Sequence, residues 1–97
     1  MKKCFIGMPF SDPAPFEKGH FTRVYDHIIS PACEKAEFEA IRVDHITDSS
    51  FIIRDVIQQL VDCEMAIFDL SGRNPNVLYE LGVRHALKKP VTIISHP

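Results

Sequence analysis

Short apolar runs alternate with amphipathic stripes along all 97 residues, and no other feature limits the fold so tightly. Cys4-Phe5-Ile6 is an apolar run that stops at Gly7. Ala40-Ile41-Arg42-Val43-Asp44 alternates apolar and polar residues, the period-two pattern of a strand. Met65-Ala66-Ile67-Phe68 is apolar throughout and ends at Asp69. A short run with no polar face predicts a strand covered on both sides, in the middle of a parallel sheet. Pro90-Val91-Thr92-Ile93-Ile94-Ser95 predicts the last strand.

Helical patterns fill the gaps. Phe21, Val24, Tyr25, Ile28, Ile29, Ala32 and Ala36 recur at spacings of three and four, and Pro31 within them predicts a kink. Ile52, Ile53, Val56, Ile57, Leu60 and Val61 form one stripe, with Arg54, Asp55, Gln58, Gln59 and Asp62 opposite. Asp48-Ser49-Ser50 offers N-cap oxygens ahead of it. Asn74 as N-cap and Pro75 as first helical residue start a third helix that runs to about Lys88. The order is β-α-β-α-β-α-β. With right-handed crossovers it predicts an α/β, flavodoxin-like three-layer sandwich: a parallel sheet of four strands, order 2-1-3-4, with helices on both faces.

Residues 1–97 make a single domain. Four strands are few for such a sheet, and the sequence stops just after the fourth. Either this is a trimmed piece of a longer protein, or a homo-oligomer covers an exposed edge. Net charge is −2, from 11 Lys+Arg against 13 Asp+Glu, and no basic run exceeds two residues. A non-specific nucleic-acid binder needs a basic surface, so no nucleic-acid partner is expected. No apolar stretch approaches the roughly 20 residues of a membrane span, and Met1-Lys2-Lys3 leads into no signal peptide. A cytoplasmic location follows. Cys4, Cys33 and Cys63 are odd in number and lack Cys-x-x-Cys spacing, which predicts buried thiols rather than a disulfide framework. The five histidines show no metal spacing, and neither metal nor cofactor is expected.

In open α/β sheets ligands sit beyond the carboxyl ends of the strands, where strand order reverses. For order 2-1-3-4 that point lies between the first and third strands. The loops leaving them, Gly7 to Asp12 and Asp69 to Asn74, also hold the densest clusters of Gly, Pro and short polar residues. The carboxylate of Asp69 either faces this crevice or caps the turn after it. Ser71-Gly72-Arg73-Asn74 precedes a helix N-terminus, which attracts anions, and Arg73 either contacts a phosphate or is solvated. Ser71 lacks the context of a nucleophile elbow. Glu80 has two readings: an i,i+4 pair with Arg84, or a carboxylate looking into the crevice as a nucleophile. Gly82 is expected to let the helix approach the sheet, and His85 to lie on its apolar side.

The residues reached so far resemble a known group. Cys4-Phe5-Ile6-Gly7-Met8-Pro9-Phe10 is similar to the first strand and loop of the nucleoside 2-deoxyribosyltransferase-like superfamily. Asp69-Leu70-Ser71-Gly72-Arg73-Asn74-Pro75-Asn76-Val77-Leu78-Tyr79-Glu80-Leu81-Gly82 is similar to its third-strand and helix motif. The layout, an acid on a helix beside a flavodoxin-like sheet, also resembles that of TIR domains.

The resemblance implies cleavage of an N-glycosidic bond, by hydrolysis or transfer, on a nucleoside, nucleotide or NAD-like substrate. Glu80 is then the nucleophile or transition-state stabiliser. Gly7, Pro9 and Phe10 line the base or sugar pocket, and Asp69, Ser71, Gly72, Arg73, Asn74 and Asn76 are the other expected binding residues. Asn74 follows Arg73 where the deoxyribosyltransferases often carry an acid, which leaves ribosides and nucleotides open as substrates. The alternative is a non-catalytic TIR-like module that binds a nucleotide or another protein and regulates attached domains.

Overall fold

A computed structural model describes residues 1–9, 12, 15–42 and 49–96, with residues 49–53 described as backbone alone. The strands are β1 (Lys2–Gly7), β2 (Phe38–Ile41), β3 (Met65–Asp69) and β4 (Thr92–Ile94). The helices are α1 (His20–Val24), α2 (Ser30–Lys35), α3 (Ser49–Asp62) and α4 (Pro75–Ala86). All pairings are parallel and the order is β2-β1-β3-β4. This is the expected topology, with its switch between β1 and β3.

Side-chain alternation explains why β1 must be apolar over its second half. Cys4, Ile6 and Met8 pack with Phe21, Ile29 and Cys33 of the first helical segment. Phe5 points the other way, into a cluster of Val56, Leu60, Cys63, Ala66, Phe68 and Val77. β3 divides likewise, with Ala66 and Phe68 on the α3/α4 face and Met65 and Ile67 on the α1/α2 face. Phe5 and Phe68 meet with ring centroids 5.8 Å apart and tilted planes, a geometry that adds about 0.5–1.5 kcal/mol to their burial.

Pro31 acts where its sequence position predicts. Tyr25–Ile29 between α1 and α2 is a π-helical stretch, and the Ser30 amide reaches back to the Tyr25 carbonyl. Proline cannot donate, and its ring crowds the carbonyl four residues earlier; the wider turn just ahead of it relieves that contact. Asn74 caps α4 as expected, its side-chain oxygen accepting from the amides of Asn76 at 2.9 Å and Val77 at 3.2 Å.

Three boundaries differ from the sequence reading. β2 begins at Phe38, because β1 is already extended at Lys2 and pairs it with Phe38; Val43 and Asp44 lie outside the described residues. Asp48, the expected cap of α3, also lies outside them. α4 ends at Ala86 because Lys88 turns into the left-handed region at φ 56°. β4 is only Thr92–Ile94, an edge strand with Ile93 48% exposed. All three cysteines are buried free thiols. No described helix is long and apolar enough to cross a membrane.

Candidate functional site

The carboxyl ends of β1 and β3 bring Gly7 beside Glu80. Gly7 is the register partner of Phe68. A Cβ built on Gly7 would fall 2.5 Å from Phe68 Cδ1 and 3.2 Å from Glu80 Oε1. The carboxyl of Glu80 therefore rests over the end of β1, on the face that holds Phe5 and Phe68. Burial pushes its pKa up from the usual carboxylate range to about 7. Neither an ion pair nor a hydrogen bond to Glu80 is present among the described residues. Such a carboxyl is divided between a neutral acid and an anion near neutral pH, the condition in which it can donate a proton or attack as a nucleophile.

Arg84 is not its partner, contrary to the i,i+4 reading. The Arg84 side chain is fully buried and points to the end of α3. Its Nη1 donates to the carbonyls of Leu60 at 2.8 Å and Cys63 at 2.7 Å. Nε and Nη2 both donate to the Pro90 carbonyl, at 3.2 and 3.1 Å. A cation at a helix C-terminus is favourable there, and Lys89 adds a second, its Nζ donating to the Val61 carbonyl. With Arg84 turned away, no described residue holds the Glu80 pKa low, and desolvation decides its direction.

The other expected residues are placed as follows. Asp69 is 3% exposed, and its Oδ1 accepts from the Ser71 amide at 2.9 Å, the turn-capping arrangement. The Ser71 hydroxyl is buried and accepts from the His96 amide at 2.6 Å, so the chain leaving β4 is tied to the loop leaving β3. Gly72 takes φ 77°, which its missing Cβ allows, and Arg73 follows at φ 52°; both are exposed. The Asn74 oxygen is engaged in the helix cap, leaving its amide donors for other use, and Asn76 is exposed. Pro9 is buried and its carbonyl accepts from Arg42 Nη2 at 3.1 Å. Phe10 lies outside the described residues. Two expectations fail: Gly82 is exposed with no atom within 4 Å of a Cβ position, and His85 is exposed rather than on the apolar side.

Four further residues gather at this end of the sheet. Arg42, just past β2, stacks its guanidinium 5.2 Å from the centre of the Tyr25 ring while bonding Pro9. The sequence pattern reads Arg42 as mid-strand and so gives no signal of this role. His20 and His96 meet edge-on with centroids 5.3 Å apart, both against Phe16. The Asp12 carboxylate accepts from the amides of Gly19 at 2.7 Å and Phe21 at 2.9 Å, which pulls its pKa below the ordinary value. Asp12 thereby takes up two amides at the start of α1. Its place in a Pro-rich loop is the only signal the sequence carries.

No family model and no curated protein matches the chain. Among solved structures it superposes on the 2-desoxiribosyltransferase from Leishmania mexicana with a TM-score of 0.76. That match covers 100% of this chain and 66% of the other, at 21% sequence identity. The chain thus spans just under two thirds of that protein's length, and the likeness establishes the fold.

Proposed function

We propose that this domain cleaves the N-glycosidic bond of a nucleoside or nucleotide, with Glu80 as the nucleophile. The observation that carries the reading is the Glu80 carboxyl, desolvated and without a cationic partner among the described residues, beside Gly7 at the switch point of the sheet. The shared fold with a deoxyribosyltransferase supports the reaction class. In the step, the ionised Glu80 oxygen forms a bond to the anomeric carbon while the bond from that carbon to the base nitrogen breaks. The electron pair leaves with the base, which takes a proton from solvent. An acceptor base or water then attacks the same carbon and frees the carboxylate. Gly7 and the loop through Pro9 form one wall of the site in this reading, and Arg73, Asn74 and Asn76 border the other. An NAD-like molecule is the third substrate type, by likeness of layout to TIR domains.

One observation favours a second reading. One carboxylate oxygen of Asp69, the Ser71 hydroxyl and the Asn74 side-chain oxygen already accept from backbone amides. A site with few unengaged acceptors suits a TIR-like module that binds a nucleotide or a protein partner without turnover. Self-association belongs to either reading, since β4 is an edge strand with Ile93 exposed and Leu87 is 41% exposed just before it. Incubation with a panel of nucleosides, nucleotides and NAD, with free base read by chromatography, decides between them. Base release that disappears in Glu80→Gln supports the enzyme. Saturable binding without release from any member supports the module.

A further inference from the structure

We infer that Gly7 is a positioning residue: the space left by its missing side chain seats the Glu80 carboxyl against the end of β1. The inference rests on the reading of Glu80 as the reacting carboxylate, but the geometry that carries it is independent of any substrate. The space above the Gly7 Cα is shared by two groups. Phe68 brings Cδ1 and Cε1 within 2.5 and 2.7 Å of a Cβ position, and Glu80 brings Oε1 within 3.2 Å. The Phe68 approach is impossible over a Cβ as it stands, and the Glu80 approach is tight enough that the carboxyl must give way. The ring of Phe68 is fully buried beside Phe5 and has little room to retreat. The Glu80 carboxyl is the far end of a flexible side chain, so it yields more readily than the ring to a group added at position 7 and shifts off its seat toward solvent. Gly7 in this way sets both where the carboxyl lies and how dry its surroundings are.

The charged groups on the surrounding elements do not supply another explanation for that seat. On α4, Arg84 is directed to Leu60, Cys63 and Pro90. On β3, Asp69 accepts from the Ser71 amide. On β1, Lys2 and Lys3 sit at the opposite end of the strand. On α3, Arg54 is exposed and Asp62 accepts from Gln58, and burial alone accounts for the raised Glu80 pKa.

The test is a carbon-13 titration of the folded protein labelled at glutamate carboxyls, with the Glu80 signal assigned by its loss in Glu80→Gln. The wild-type signal is expected to titrate near the raised value of about 7. In Gly7→Ala the midpoint should fall by about one pH unit or more toward the ordinary 4.5, as water reaches the displaced group. Because a Cβ also meets the Phe68 ring, Gly7→Ala/Phe68→Leu is compared with Phe68→Leu alone. The shorter side chain makes room for the fold, and the difference between the two isolates the Cβ. A midpoint lower in the double variant than in Phe68→Leu supports the inference, whether or not base is released from the nucleoside panel. The same midpoint in both overturns it, and does so without touching the catalytic reading, which base release by the wild type tests separately. In an active wild type, the acid limb of the base-release profile should move with the Glu80 midpoint; a merely structural glycine would lower the amount of folded protein and leave that limb in place.

Discussion

The guanidinium of Arg84 donates to the carbonyl of Cys63 at 2.7 Å, across 21 residues of sequence, and so fastens α4 to the end of α3. The same Nη1 also takes the Leu60 carbonyl, and the other nitrogens take Pro90. One buried side chain therefore joins a helix end, the turn after it and the approach to β4. Removing it strands those carbonyls away from water, a situation worth about 1–3 kcal/mol for each group left unmade.

Arg84→Met is accordingly expected to destabilise the domain by roughly 2–4 kcal/mol. For a domain of this size that lowers the unfolding midpoint by on the order of 10 °C or more. Arg84→Lys should recover only part, because an ammonium is a point donor and lacks the planar fork that reaches all three carbonyls. Thermal unfolding followed by circular dichroism measures both. A loss of only a few tenths of a kcal/mol, the size of an exposed i,i+4 pair, would mean that Arg84 is solvated after all.

The contrast between Arg84 and Asn74 shows what local pattern reveals. Asn74 followed by Pro75 announces a helix start because every group in the cap lies within three residues, and the cap is found there. Pro31 likewise disturbs its helix through its immediate neighbours. The alternation of strands and helices fixes the topology for a similar reason, since parallel pairing with right-handed crossovers leaves few arrangements. Arg84 is different. A charged residue on a helix wheel reads as solvent-facing, and its buried seat is built from carbonyls 21 and 24 positions away. Glu80 is intermediate: its place beside the β1–β3 switch is legible, but the sign of its pKa shift depends on the close approach of Gly7 and Phe68 and on the absence of Arg84.

Asn74→Ala should cost about 1 kcal/mol, the usual value for a lost N-cap, and Asn74→Asp or Asn74→Ser should restore most of it. Hydrogen exchange at the Asn76 and Val77 amides checks the mechanism, since both donate to the Asn74 oxygen and should lose protection first in the Ala variant.

The cysteines should be chemically silent in the native protein. Burial, reinforced by neighbouring Cys33, raises the Cys4 thiol to about 12, and burial raises Cys63 as well. The thiolate is the reactive form, so an aromatic disulfide reagent at pH 8 should modify Cys4 and Cys63 only as fast as the domain opens. Denaturant should release the full count of three thiols at once. Rapid modification of Cys4 without denaturant would contradict its place on β1, packed against Cys33 of α2.

Glu80 should make activity and stability run in opposite directions over the same pH range. Its folded-state pKa, about 7, lies above the ordinary 4.5 it regains on unfolding. The folded state thus holds the proton that the unfolded state has already lost between those values. Its contribution to stability is fully present below 4.5 and is lost as pH rises through 7. With allowance for solvent reaching a half-buried group, the loss is on the order of 1–2 kcal/mol. Attack on an anomeric carbon needs the anion, so base release should rise over that interval as the fold weakens. Glu80→Gln carries no titrating proton there. It should flatten the Glu80 part of the stability profile, measured by denaturant midpoints from pH 4 to 8, and abolish base release at every pH. A variant that flattens stability but keeps turnover would leave Glu80 a buried acid without a catalytic role. One that abolishes turnover but leaves the stability profile unchanged would place the carboxyl in water, away from Gly7.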